Sequence, residues 1–125
     1  MLRACRRLLK PRGRLAFFTI VAAPGLSESE HRRAVRLGPR ATDSTRPIDE
    51  LMGAARFGSV DVTDVTEGFL RTARAWHSAF ARHEAELRDV IGPQWDERQT
   101  ERGEIIQAIE EGLLRRILVT ASARN

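Results

Sequence analysis

Apolar positions along the chain fall into stretches of two different periods. Leu2, Cys5, Leu8 and Leu9 recur near helical spacing with arginines on the other face, which predicts a helix over residues 2–10. Pro11-Arg12-Gly13 stops it, because proline cannot continue a helix and glycine tolerates the turn. From Arg14 to Val21 the apolar residues Leu15, Phe17, Phe18, Ile20 and Val21 are nearly continuous, the pattern of a strand buried on both faces. Ala22 to Ser27 is a loop, and Ser27-Glu28-Ser29-Glu30 has the spacing of a capping box at the head of a helix reaching about Leu37. Gly38-Pro39 ends that helix, and residues 38–46 read as a flexible loop. Pro47, Asp49 and Glu50 suit the first turn of a helix running to about Arg56.

Phe57-Gly58 reads as a turn. Val60, Val62 and Val65 then alternate with Asp61, Thr63 and Asp64 as a strand. Thr66 is a candidate N-cap for one long helix from Glu67 to Ile91. Its expected buried stripe is Phe69, Ala73, Trp76, Phe80, Leu87 and Ile91. Gly92-Pro93 breaks it, and a second helix runs from about Trp95 to Leu113 with Ile105, Ile106, Ile109 and Leu113 on one face. Leu114 to Ala121 is the last expected strand. The alternation of helices and strands argues for α/β layering in one small domain.

Composition narrows the function classes. With 42% hydrophobic residues in 125, the chain can build a packed core. Its net charge of +4 comes almost wholly from arginine. Acids follow the arginines closely from Glu28 onward, so no one-sided basic stripe forms, and the aromatics are scattered; no nucleic-acid partner is expected. Cys5 stands alone and reads as a small apolar helix residue, which suits a reducing, cytoplasmic setting and excludes a disulfide framework within the chain. The first 27 residues contain no acid and mimic a signal or transit peptide. Pro11 and Gly13 nonetheless separate the basic stretch from the apolar run like a turn between two elements. That run is too short to span a bilayer, so no membrane partner is expected.

Three segments in order resemble class I S-adenosylmethionine-dependent methyltransferases. Leu8-Leu9-Lys10-Pro11-Arg12-Gly13-Arg14-Leu15 resembles the leucine-lysine-proline-glycine-glycine signature that joins the fourth helix to the fifth strand of that family, with Arg12 in place of the first glycine. Ala54-Ala55-Arg56-Phe57-Gly58-Ser59-Val60 resembles the alanine-glycine-phenylalanine step into the sixth strand, with Arg56 where the family often has glycine. Glu111-Gly112-Leu113-Leu114-Arg115-Arg116 looks like the entry to the seventh strand. The resemblance implies the C-terminal part of a Rossmann-like methyltransferase fold: a three-stranded mixed sheet with flanking helices and a long helical pair before the last strand. Residues 1–125 would be a single partial domain with a helical insertion at about 66–113. The last strand would lie between the other two, leaving strand 14–21 with an open edge and a route to self-association.

The resemblance implies S-adenosylmethionine as cofactor and a small-molecule methyl acceptor. The glycine-rich strand-turn-helix that would hold the cofactor is absent from this sequence. The fragment by itself is therefore expected neither to bind cofactor tightly nor to transfer methyl. No catalytic residue stands out, and no nucleophile-base-orienter triad is present. Thr19, Val21 and Trp76 are candidate substrate-lining residues; for Trp76 a core role is the simpler reading. His77 and His83 are six apart and point to different sides of a helix, so no metal site is expected. His31 beside Arg32 and Arg33 is a solvated helix face or an anionic-substrate contact. Asp61 and Asp64 are a conceivable carboxylate pair, explained more simply by exposure and helix-end electrostatics. Two alternatives stand beside the methyltransferase reading: a helical interaction module built on residues 67–113, and an exported or organellar protein whose first 25 residues are removed.

Overall fold

The computed structural model describes residues 1–39 and 46–124; most of the loop expected at 38–46 lies outside the described residues. The elements are α1 (Leu2–Leu8), β1 (Arg14–Ala22), α2 (Glu28–Leu37), α3 (Ile48–Ala54), β2 (Phe57–Asp64), α4 (Thr66–Arg82), α5 (Glu84–Ile91), α6 (Trp95–Glu110) and β3 (Leu114–Ala123). The strands form one sheet in the order β1-β3-β2. Both ladders are antiparallel, so β1 and β2 run in the same direction on either side of β3.

The pleat divides the core in two. Leu15, Phe17, Ile117, Val119, Ala121 and Ala123 point to one face, where Met52 and Phe57 are fully buried and Leu2, Cys5 and Leu9 close the layer. Residues 1–23 are thus a helix and a strand integral to the sheet. The other face carries Ile20, Ala22 and Leu114 against Ala34 of α2, Phe69 and Leu70 of α4, and Ala108 and Ile109 of α6.

Turns obey local chemistry, with two substitutions against type. Arg12 and Arg56, which stand where the resembled turn sequences have glycine, have φ of 64° and 68°, the left-handed region where glycine costs least. Backbone bonds hold both turns: Arg12 N–H donates to Ala123 O and Arg124 N–H to Arg56 O. Helix α6 ends in a Schellman motif, with Gly112 at φ 78°, Leu113 N–H donating to Ala108 O and Gly112 N–H to Ile109 O. The helix therefore stops at Glu110, three residues before the sequence expectation of Leu113.

Three other expectations are corrected. Phe57-Gly58 is the start of β2, not a turn, because the left-handed Arg56 has already reversed the chain. A bulge at Ser59 (φ 49°) inserts one extra residue between the pairs Gly58↔Ser122 and Asp61↔Thr120. It shifts the parity so that Phe57 and Val60 share the sheet face of Val119 despite their odd spacing. The long helix at 67–91 is two helices, broken at His83 with φ −109° and ψ 28°. Thr66 is the first residue of α4 and not its N-cap; Asp64 accepts its N–H instead.

Candidate functional site

A cleft of about 980 Å³ opens beyond the carboxyl half of β1. Its floor is the sheet face bearing Phe17, Thr19, Val21 and Ile117. Alternation along β1 sends these odd-numbered side chains to one side, and Thr19 supplies the floor's hydroxyl. The cleft's walls are Leu26, His31 and Arg32 at the start of α2, with Ile48 and Leu51 of α3 opposite. The sequence singles out Thr19, Val21 and His31; Ile48 and Leu51 of α3 join them here, and their spacing of three on a helix is the signal that points to them.

The head of α2 is held against this cleft by the capping box that the sequence predicts. Ser27 Oγ accepts from Glu30 N–H at 3.2 Å, and Glu30 Oε1 accepts from Ser27 N–H at 3.1 Å. The Ser27 backbone and then its hydroxyl hold the Glu30 carboxyl below the ordinary glutamate range. Two arginines near the cleft are engaged: Arg33 pairs with Glu111 at 2.9 Å and Arg46 with Glu50 at 3.1 Å.

Trp76 lies elsewhere. It is 58% exposed and borders a smaller apolar groove of about 250 Å³ between α4 and α6, with Phe69, Ala73, Arg102, Ile105 and Ile106. The expected burial of Trp76 fails because α6 turns its Trp95 and Arg102 onto Phe80 and leaves Trp76 largely uncovered. Phe80 stacks with Trp95 at 6.2 Å and carries the Arg102 guanidinium 4.0 Å above its ring. The structure brings Thr19 and Val21 together and keeps Trp76 apart from them.

The other candidates do not converge. His77 packs near Gly103 of α6, whereas His83 marks the break after α4. Asp61 and Asp64 fall on opposite faces of β2. Asp64 instead binds Thr66: its Oδ1 accepts from the hydroxyl and from the backbone N–H, the latter at 2.9 Å. These bonds, hydroxyl first, hold its carboxyl below the ordinary aspartate range, with Arg115 3.8 Å away. Thr66 Oγ1 in turn accepts from Arg116 N–H at 3.0 Å, which fixes the start of α4 to β3. Among the described residues no three His, Cys, Asp or Glu side chains gather as a metal-binding group, and no helix is long and apolar enough to cross a membrane.

No family model matches the chain, and no curated protein matches its sequence. Solved structures do match it. Phosphoethanolamine N-methyltransferase 2 of Haemonchus contortus, solved with phosphomonomethylethanolamine and S-adenosylhomocysteine, superposes with a TM-score of 0.72 at 16% identity, over 99% of this chain and 29% of that one. A candidate sarcosine dimethylglycine methyltransferase of Galdieria sulphuraria gives 0.78 at 14% identity, over 98% and 46%. A cyclopropane synthase of Mycobacterium tuberculosis gives 0.69 at 14% identity, over 97% and 48%. The chain spans between 29% and 48% of the length of these proteins. At such identities the likeness is one of fold: this chain has the architecture of the C-terminal part of a methyltransferase fold.

Proposed function

We propose that this chain forms the acceptor-binding side of an S-adenosylmethionine-dependent methyltransferase, with the cofactor held by residues outside the sequence described. The carrying observation is the cleft over Thr19 and Val21. It opens at the carboxyl end of a strand, where α/β folds bind their ligands. Its volume suits a small molecule.

The chain's own residues do not fit the cofactor. Gly13 follows a helix and precedes a strand, and a Cβ there would lie 2.9 Å from Lys10 O, so it packs against the turn that follows α1 and cradles nothing. Gly25 does lie between a strand and a helix. It is a single glycine, however, and the capping box behind it already engages the Glu30 and Ser27 N–H groups. Methyl transfer depends chiefly on aligning acceptor and donor. This chain would shape the acceptor pocket through Val21, Leu26 and Leu51 and orient a polar acceptor group at the Thr19 hydroxyl.

The test is methyl transfer from labelled S-adenosylmethionine by the native species that carries this chain, with and without Val21→Trp. The proposal expects transfer, and roughly a tenfold or greater loss of kcat/KM for the acceptor in the variant with cofactor affinity unchanged. Absence of transfer and of cofactor binding in the native species would refute it.

The helical-module reading has one observation in its favour, the exposed Trp76 beside its apolar groove. It predicts that Trp76→Ala abolishes partner binding while leaving methyl transfer intact.

A further inference from the structure

One end of the molecule is built from segments without acids: residues 1–27, 51–60 and 112–124 contain no Asp or Glu. The fold gathers their arginines where β1 and β2 begin and β3 ends. Arg12 N–H donates to Ala123 O, Arg14 pairs with Ser122, and Arg124 N–H donates to Arg56 O. The intermixing of acids with arginines that holds along much of the chain breaks down here.

A groove of about 560 Å³ lies at this end between α1 and α3, lined by Arg3, Arg6, Arg7, Ala54, Ala55 and Arg56. It shares no residue with the cleft over Thr19. Among the described residues none of its four guanidiniums pairs with a carboxylate, whereas Arg33, Arg74 and Arg88 elsewhere each do. Arg6 donates to Leu9 O at 3.4 Å and to Arg124 O, and its Nε–H is buried with no acceptor among the described residues. Four like charges held together without a counter-charge repel one another and draw anions from solution.

The groove does not depend on what adjoins β1. Helix α1 turns Leu2, Cys5 and Leu9 to the core and its arginines toward α3; Ala4 and Leu8 lie on its other flank, where Leu8 is 87% exposed. The remainder of the sheet beside β1 would meet α1 on that apolar flank and leave the arginine flank open.

We propose that this groove binds a small ligand carrying two or three linked phosphates, at a site separate from the cleft and independent of the methyltransferase reading. Planar guanidiniums take phosphate oxygens in pairs. A single phosphomonoester carries about −1.5 to −2 at neutral pH and leaves half of the four charges unmatched, whereas linked phosphates match them. Arg3 and Arg7 stand about 6 Å apart along the α1 axis, with Arg56 across the groove, so the cations are spread along a chain of phosphates. No aromatic side chain lines the groove, so it offers a nucleic-acid strand no stacking platform.

Calorimetric titration of inorganic tripolyphosphate into the native species that carries this chain, at about 0.15 M salt, tests the proposal. Saturable binding is expected, at least about tenfold tighter than that of inorganic phosphate. Arg3→Gln combined with Arg7→Gln, both at exposed positions, is expected to weaken it roughly tenfold or more. Arg71→Gln combined with Arg82→Gln removes the same net charge from exposed positions of α4 and is expected to leave the affinity within about twofold. Arg56→Gly, which relieves a left-handed backbone, is the second variant should the first misfold, and is expected to weaken binding as well. Absence of saturable binding, equal weakening by the two arginine pairs, or tighter binding of a single-stranded oligonucleotide that is lost with Arg3 and Arg7 would overturn the proposal.

Discussion

Arg116 of β3 lays its guanidinium over the Phe69 ring of α4, 4.3 Å from the ring centroid, and its other face lies 4.6 Å from that of Phe18 on β1. This sandwich joins three elements on one sheet face through stacking and buried methylenes. Arg116→Ala should cost about 1–2 kcal/mol, and Arg116→Lys should recover only part, because an ammonium lacks the planar face. Urea denaturation of the three proteins, in conditions that hold the oligomeric state fixed, measures both differences.

Phe57 and Val62 sit on the same strand and differ wholly in burial, at 0% and 47% exposed. Phe57→Ala should cost about 3–5 kcal/mol, enough to unfold much of a domain this small. Val62→Ala should stay within about 0.5 kcal/mol of wild type. Thermal melts followed by circular dichroism separate the two; equal shifts would mean that Val62, opposite Val119 on the same sheet face as Phe57, is as closely packed as Phe57.

The left-handed arginines predict stabilisation by substitution. Arg56→Gly and Arg12→Gly should each raise stability by about 0.5–1 kcal/mol, since relief of the left-handed penalty outweighs the added entropy of the unfolded chain. The backbone bonds of both turns remain available to glycine. A loss of stability in both variants would show that the arginine side chains hold these turns.

Glu30 gives the acid limb a definite sign. Its carboxyl is held low by Ser27, so its contribution is present above the unfolded glutamate value and is lost as pH falls through the lower folded value. Asp64, held low by Thr66, acts in the same sense. Ser27→Ala should cost about 1 kcal/mol at neutral pH and flatten this limb, because the cap is lost together with the shift. Carboxyl titration by NMR in wild type and variant checks it: Glu30 should move up toward its ordinary range in Ser27→Ala.

Much of this architecture was legible in the residues. The capping box at Ser27 and Glu30 was readable because it is a local hydrogen-bond code four residues long. The strand order followed from the family that the turn sequences around Gly13, Phe57 and Gly112 resemble, not from those turns themselves. What was not legible depended on contacts distant in sequence. Periodicity alone carries 67–91 as one helix, and only the fold of α5 and α6 back along α4 shows the break at His83. The same periodicity buries Trp76, yet burial needs a partner, and the facing helix spends its Trp95 and Arg102 on Phe80. The cleft was half visible: Thr19 and Val21 announce themselves at the end of an apolar strand, whereas Ile48 and Leu51 reach it across the segment between α2 and α3.

The most direct measurement is a calorimetric titration of S-adenosylmethionine into the isolated 125-residue chain and, alongside it, into the native species that carries it. The account predicts no saturable binding to the isolated chain up to about 1 mM cofactor, and micromolar binding to the native species. Micromolar binding by the isolated chain would contradict it, for the cofactor site would then lie within these residues.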